Sequence, residues 1–326
     1  MADGPELGRL GRSHLAVLGW LFDPTPQHWA VFTRMVLGSS LFVAWLFYLT
    51  TVQSLFGPEG IGGFATFERV PGAEITAPSF FYFRWLHGVR SAQLVWGLYV
   101  LMVCAALAFA VGIFTRTAGV ILLVLHALFV GRNPVVFWGW ASLIHVFLAY
   151  TLLSNPGRYL SVDAWRRRRR EPADAAKGIG CGPAWPRRLV QVHVCTIYAI
   201  AGISRLDSPG WLDGSMVYTI YTNLLSGRMN IDWNPFIPLL RVGSYFAFVI
   251  EALAPLMLWI PRVGRWWALG LIAMHLLLEL TTTVGWWSFL MIAADTSFLP
   301  VRWFQTLGAA LRRLPLLGLE RAGADG

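Results

Sequence analysis

Apolar runs long enough to cross a bilayer recur from about residue 30 to residue 300, separated by short polar stretches bearing Gly, Pro and Arg. About 20 helical residues cross the hydrocarbon core of a membrane. The runs predict eight helices, over residues 30–51, 92–113, 118–130, 135–153, 189–203, 236–260, 266–282 and 285–299. Short turns at 115–117 and 131–134 make the second, third and fourth antiparallel neighbours. Residues 15–22 are apolar but too short to span, and are predicted to lie along the interface before Asp23-Pro24-Thr25-Pro26. Two longer polar segments stand out. Residues 52–90 are rich in Gly, Pro and aromatics, including the run from Phe80 to Trp85, and 207–235 contain an amphipathic stretch from Met216 to Leu225, read as a surface helix. Loops of this length are functional or disordered, and the aromatic content argues against disorder. The fold class is all-α: a polytopic integral membrane helical bundle over 30–300. An N-terminal segment 1–29 precedes it, a tail 301–326 follows, and a basic loop 154–188 divides it.

Composition excludes a soluble domain. Hydrophobic residues make up 56% of the chain and charged residues only 13%, with 17 Trp and 21 Phe. The net charge of +9 would suit nucleic acid, and Arg166 to Arg170 with Lys177 would suit a nucleic-acid patch. Between two apolar runs, however, such a cluster sets topology and touches anionic lipid, so the expected partner is the bilayer and not nucleic acid. With eight spans, eighteen of the 26 basic residues fall on one side and seven on the other, with Arg34 inside the first span. Basic residues collect on the cytoplasmic side. Both termini and the arginine run are therefore expected there, with the two long loops facing away. Residues 1–29 lack a signal-peptide pattern, so the first span is expected to insert the chain. Cys104, Cys181 and Cys195 have neither metal-ligand spacing nor the pattern of a disulfide framework. No internal repeat supports an inverted-repeat transporter.

The candidate chemistry sits where charge interrupts apolar sequence. Arg205 and Asp207 fall where the fifth helix should leave the membrane. Ser208-Pro209-Gly210 breaks the helix, Trp211 is an interfacial anchor, and Asp213-Gly214 forms a turn. Arg205, Asp207, Trp211 and Asp213 are expected to line a pocket facing away from the cytoplasm, roofed by the 52–90 loop. The plainer alternative is an arginine snorkelling to the interface. Arg34, Glu251, His275 and Glu279 interrupt other spans, and a charged group mid-span costs about 2.5–3.5 kcal/mol on insertion scales, so they should face the bundle interior and pair. His275 and Glu279, four residues apart, share a helical face. They suit a structural clasp first, a proton-handling pair next, and a metal site least, because no third ligand is identifiable. His126, His145 and His193 read as interior histidines satisfied by neighbouring hydroxyls or carbonyls.

Three features together resemble the HTTM family, the transmembrane domain shared with vitamin K-dependent gamma-carboxylases. They are Tyr198-x-x-x-Gly202-x-x-Arg205-Leu206-Asp207 followed by Trp211-x-Asp213-Gly214, the Glu251-x-x-x-Pro255 span, and the His275 helix. Arg34 near the start of the first span also fits, and the resemblance covers roughly residues 30–300. It implies that Arg205 stands where the carboxylases carry the lysine base that starts vitamin K oxygenation. It further implies that Arg132-Asn133-Pro134 aligns with a family Asn-Asn-His stretch, which adds Asn133 to the pocket and leaves Pro134 in place of histidine. Arginine does not give up its proton as a buried lysine can. Glutamate carboxylation is therefore disfavoured.

The resemblance leaves work on an extracytoplasmic substrate, namely modification or maturation of a secreted peptide, or action on a membrane lipid or quinone. A quinone-like or lipid ligand is the cofactor class it allows. Some family members of similar length resemble the component that matures secreted sporulation-delaying toxin peptides. The alternatives are a non-catalytic membrane scaffold and a transporter.

Overall fold

Each of the eight apolar runs contains a helix. The computed structural model describes residues 17–61, 89–133, 140–171, 180–223, 226–229, 231–283 and 287–312. Its main helices are α1 (His28–Leu46), α3 (Ala92–Val111), α4 (Thr115–Arg132), α5 (Trp140–Leu153), α7 (Trp185–Leu206), α10 (Ile237–Met257), α11 (Gly264–Thr281) and α12 (Trp287–Asp295). Shorter helices join them: α2 (Val52–Phe56), α6 (Val162–Arg170), α8 (Pro209–Leu212), α9 (Met216–Thr222) and α13 (Val301–Arg312). The protein is an all-α membrane bundle. Five helices are long and apolar enough to cross a membrane by length and composition: α1, α3, α4, α7 and the helical stretch Asn234–Met257 that contains α10.

Helix α1 packs on α3 and α12, α3 on α4, α7 on α10, and α11 on α12. Small residues set two close approaches. A Cβ on Gly38 of α1 would lie 2.6 Å from the Ala110 backbone nitrogen of α3, and one on Gly202 of α7 would lie 2.8 Å from the Ala252 Cα of α10. Small residues allow such backbone contact between helices in lipid, where no hydrophobic effect drives helices together. The core between them is aromatic and aliphatic: Trp45 meets Phe56, Tyr99 and Phe129, and the Tyr99 hydroxyl donates to the Trp45 carbonyl.

The two ends of the bundle differ. One gathers the arginine-bearing segments, where β1 (Pro24–Pro26) pairs antiparallel with β2 (Cys181–Pro183) and ties the start of α1 to the start of α7. Arg34, fully buried, donates at this end to the carbonyls of Phe109 (3.0 Å), Ala110 (2.5 Å) and Leu160 (2.5 Å). It thereby closes the C-terminal turn of α3, whose last carbonyls lack helical partners. The other end carries α2, α8, α9 and the start of α10.

Boundaries differ from expectation for local reasons. The first helix stops at Leu46, turns fill the rest of the predicted run to residue 51, and α2 follows from Val52. The third is longer than predicted, because Thr115-Arg116-Thr117 form its first turn and no separate loop. The Asp163 carboxylate of α6 accepts from the backbone N–H groups of Phe114 (3.0 Å) and Thr115 (2.8 Å) and from the Thr115 hydroxyl (2.7 Å). A cap supplied by a distant helix is invisible to local sequence. The fifth helix also extends at both ends, starting at Trp185 with Pro186 in its first turn and taking in Arg187, Arg188 and Arg205. Within the basic loop, α6 and β2 are formed. Residues 17–22 form a helical turn whose Trp20 stacks under Arg188. Of the predicted 216–225 surface helix, 216–222 is helical and packs on α10, while 224–225 lie outside the described residues.

Candidate functional site

Tyr198, Gly202 and Arg205 recur at i, i+4 and i+7, which puts all three on one face of α7. Gly202 on that face lets α10 come into backbone contact. Arg205 in the last turn then reaches Glu251 of α10, and the two form an ion pair with side-chain exposures of 17% and 7%. The Arg205 guanidinium also lies 4.2 Å from the ring centroid of Trp211 in α8, held there by the helix break at Ser208-Pro209. An arginine stacked on an indole and paired to a carboxylate is a fixed cation.

Deeper along the same face, the Tyr198 hydroxyl donates to Asp295 Oδ2 of α12 at 2.8 Å and lies 3.1 Å from His275 Nε2 of α11. All three residues are buried. Tyrosine has one proton to donate, and it goes to the carboxylate, so His275 serves this contact through Nε2–H. That tautomer leaves a lone pair on Nδ1. Neither His275 Nδ1 nor Asp295 Oδ1 has a hydrogen-bond partner among the described residues. Tyr198 and Arg205 lie two turns apart on the same face of α7, which sets the two groups one above the other along that helix. Four helices therefore contribute one polar track, from Arg205 near the surface to Asp295 in the interior.

The remaining sequence-singled residues are distributed elsewhere. His275 and Glu279 do not bond each other. One turn nearer the helix end, Glu279 pairs instead with Arg228 at 3.0 Å. Asp207 is exposed in the C-cap position of α7, and the carboxylate that meets Arg205 is Glu251. Asp213 accepts from the Ser215 backbone N–H at 2.8 Å, bonds from Ser215 hold its carboxyl below the usual range, and it shapes the turn at Gly214 (φ 80°) before α9. Asn133 serves another set of contacts: its amide donates to the Leu55 carbonyl at 2.8 Å, while Arg132 donates to the carbonyls of Phe56 (2.5 Å) and Val89 (3.1 Å). Pro134 and the aromatic run from Phe80 to Trp85 lie outside the described residues. His126 Nδ1 lies 2.7 Å from His145 Nε2, so these two interior histidines pair with each other. The His193 ring packs against Phe147 and Tyr150. Among the described residues no three His, Cys, Asp or Glu side chains converge as a metal site.

Tyr198 and Asp295 were not singled out as site residues by sequence. The signal for Tyr198 was its helical spacing to Arg205, and for Asp295 an acid inside an apolar run.

A helical membrane bundle with a charged track on its fifth to eighth helices defines the class. The model of the HTTM domain matches residues 22–303, and the chain belongs to that family. No curated protein and no solved structure matches it.

Proposed function

We propose that the protein acts within the membrane on a substrate with an anionic or carbonyl headgroup, held at the Arg205 end, and that the interior group moves a proton for it. The observation that carries this reading is the orphaned pair of acceptors, His275 Nδ1 and Asp295 Oδ1, at the inner end of a track that begins at Arg205. Buried polar atoms without partners cost stability and are kept where a ligand or a proton uses them. In this reading Arg205 and Trp211 bind and orient the headgroup, Glu251 holds Arg205, and His275 accepts a proton at Nδ1 while Asp295, through Tyr198, balances the charge that results. The substrate classes that fit are a membrane quinone or lipid, or the exposed part of a secreted peptide undergoing maturation. The track would open away from the arginine-rich end, with both termini on the cytoplasmic side of a bacterial inner membrane.

The pairing of Arg205 supports the reading that this chain does not carboxylate glutamate. At the position of the carboxylase lysine stands a guanidinium engaged by Glu251 and Trp211, which binds anions but does not act as a base.

The test is mass spectrometry of small molecules and peptides retained by the full-length protein purified into nanodiscs. Wild type should carry a ligand distinct from bulk lipid. Arg205→Ala should lose it while still folding, at the lower melting temperature that stranding Glu251 entails, and His275→Ala should keep it and leave it unconverted. An empty wild type, or identical retention by all three proteins, would refute the proposal.

A further inference from the structure

At the arginine-rich end, the first turn of α7, the turn between α10 and α11, and the segment from α12 into α13 enclose a cavity of about 310 Å³. Arg187, Arg188, Arg265 and Arg302 all line it, and no Asp or Glu is among its lining residues. None of the ion pairs among the described residues involves any of the four. Their fixed partners are neutral. Arg187 donates to the Ser297 carbonyl at 2.6 Å, and Arg188 donates to Gln191 Oε1 at 2.9 Å. Those bonds hold the guanidinium groups in place without balancing their charge. Arg265 Nε is buried and has no hydrogen-bond partner among the described residues.

Like charges gathered beside hydrocarbon repel one another strongly, because little water screens them. Such a cluster is stable when an anion completes it. A second basic cavity, beside α6, contains its own carboxylate in Asp163; this one has none among its lining residues. Guanidinium forks match the oxygens of a phosphate. The cavity wall also includes Trp259, Phe298 and Leu258, an apolar surface on which an acyl chain or glycerol backbone can lie.

We propose that this cavity binds a phosphate-bearing anion, with the headgroup of an acidic phospholipid as the source its apolar wall fits. The site lies at the opposite end of α7 from Arg205, so it is independent of the substrate track.

Full-length protein in nanodiscs of phosphatidylcholine with a minor share of phosphatidylglycerol tests the assignment by the lipid that survives detergent extraction. Wild type should retain phosphatidylglycerol at least tenfold above its share of the bilayer. The double variant Arg265→Gln/Arg302→Gln should lose that enrichment, whereas Arg168→Gln/Arg169→Gln on α6 should keep it. Arg302→Gln alone, at an exposed position, gives a partial loss that reads out even if the double variant folds poorly. In pure phosphatidylcholine nanodiscs, inorganic pyrophosphate is the second arm. A melting-temperature rise in wild type that is absent from Arg265→Gln/Arg302→Gln would identify a soluble phosphate as the source. Absence of both lipid enrichment and a pyrophosphate shift, or equal loss in the α6 variant, would overturn the proposal.

Discussion

Arg205 and Glu251 are 46 positions apart in sequence and form one ion pair across the α7–α10 contact, with Trp211 stacked on the guanidinium. Removing only the cation leaves a buried carboxylate unpaired, which costs about 3–5 kcal/mol in comparable pairs. Arg205 keeps some exposure, so the lower end of that range applies. Arg205→Leu should therefore lower the melting temperature more than Glu251→Gln, which leaves Arg205 its indole and access to water. The double variant Arg205→Leu/Glu251→Leu should recover part of the loss, because no charge is stranded. Thermal unfolding in detergent measures the cycle, and additive single effects would show that the two side chains are not coupled.

The Tyr198 hydroxyl is shared between Asp295 and His275. Tyr198→Phe removes it from both, leaving two more polar atoms unpaired at about 1–3 kcal/mol each. Asp295→Asn on its own should cost less than Tyr198→Phe, since an amide still accepts from the phenol. Combining the two changes should add little beyond Tyr198→Phe. A full additive loss in the double variant would mean the hydroxyl does not join the three residues.

Topology is tested by reporter fusions at Gly178 and Gly227, which should report opposite sides of the membrane, with Gly178 cytoplasmic. A shared side would refute the eight-span arrangement.

What could be read from the chain was position, and what could not was pairing. Charges inside apolar runs are conspicuous, so Arg34, Arg205, Glu251 and His275 stood out individually. Their partners are set by tertiary contacts. Arg34 serves the end of α3 some 75 residues on, and Asp163 caps a helix 48 residues before it. Glu279 and His275 share a face yet turn to different neighbours, because Arg228 and Tyr198 approach from separate elements. The i, i+4, i+7 spacing of Tyr198, Gly202 and Arg205 is the part of the site that local sequence does encode. It acquires meaning once Gly202 is known to touch α10.

Asp163 holds the N-terminus of α4 from outside that helix. Burial pushes its carboxyl up, but the Thr115 and Phe114 hydrogen bonds and the Arg167 charge outweigh burial and hold it below the usual 3.8. A lowered carboxyl value in the folded state contributes stability above 3.8, and that contribution is lost as pH falls through the lower folded value. Asp163→Asn should cost about 0.5–2 kcal/mol at neutral pH, the range for losing a helix cap. The gap between wild type and variant should close in acid below pH 3.8. A gap unchanged across that range would show that the charge of Asp163 plays no part.

Gly202 links the fold to the site, and its replacement tests that link. A Cβ there would sit 2.8 Å from the Ala252 Cα and 3.0 Å from its Cβ, so backbone and not a flexible side chain must give way. Gly202→Ala should therefore separate α7 from α10 and cost about 1–3 kcal/mol, the usual penalty of overpacking. Gly243 of α10 is the internal control, because a Cβ there meets nothing within 4 Å. Gly243→Ala should leave stability unchanged or raise it by up to about 1 kcal/mol through helix propensity. Since Arg205 lies one turn beyond Gly202, the separation should also weaken its hold on Glu251. In a Gly202→Ala background the Arg205–Glu251 coupling energy should fall to less than half its wild-type value, while in Gly243→Ala it should be preserved. Equal behaviour of the two alanine variants would show that the close approach at Gly202 does not set the geometry of the ion pair.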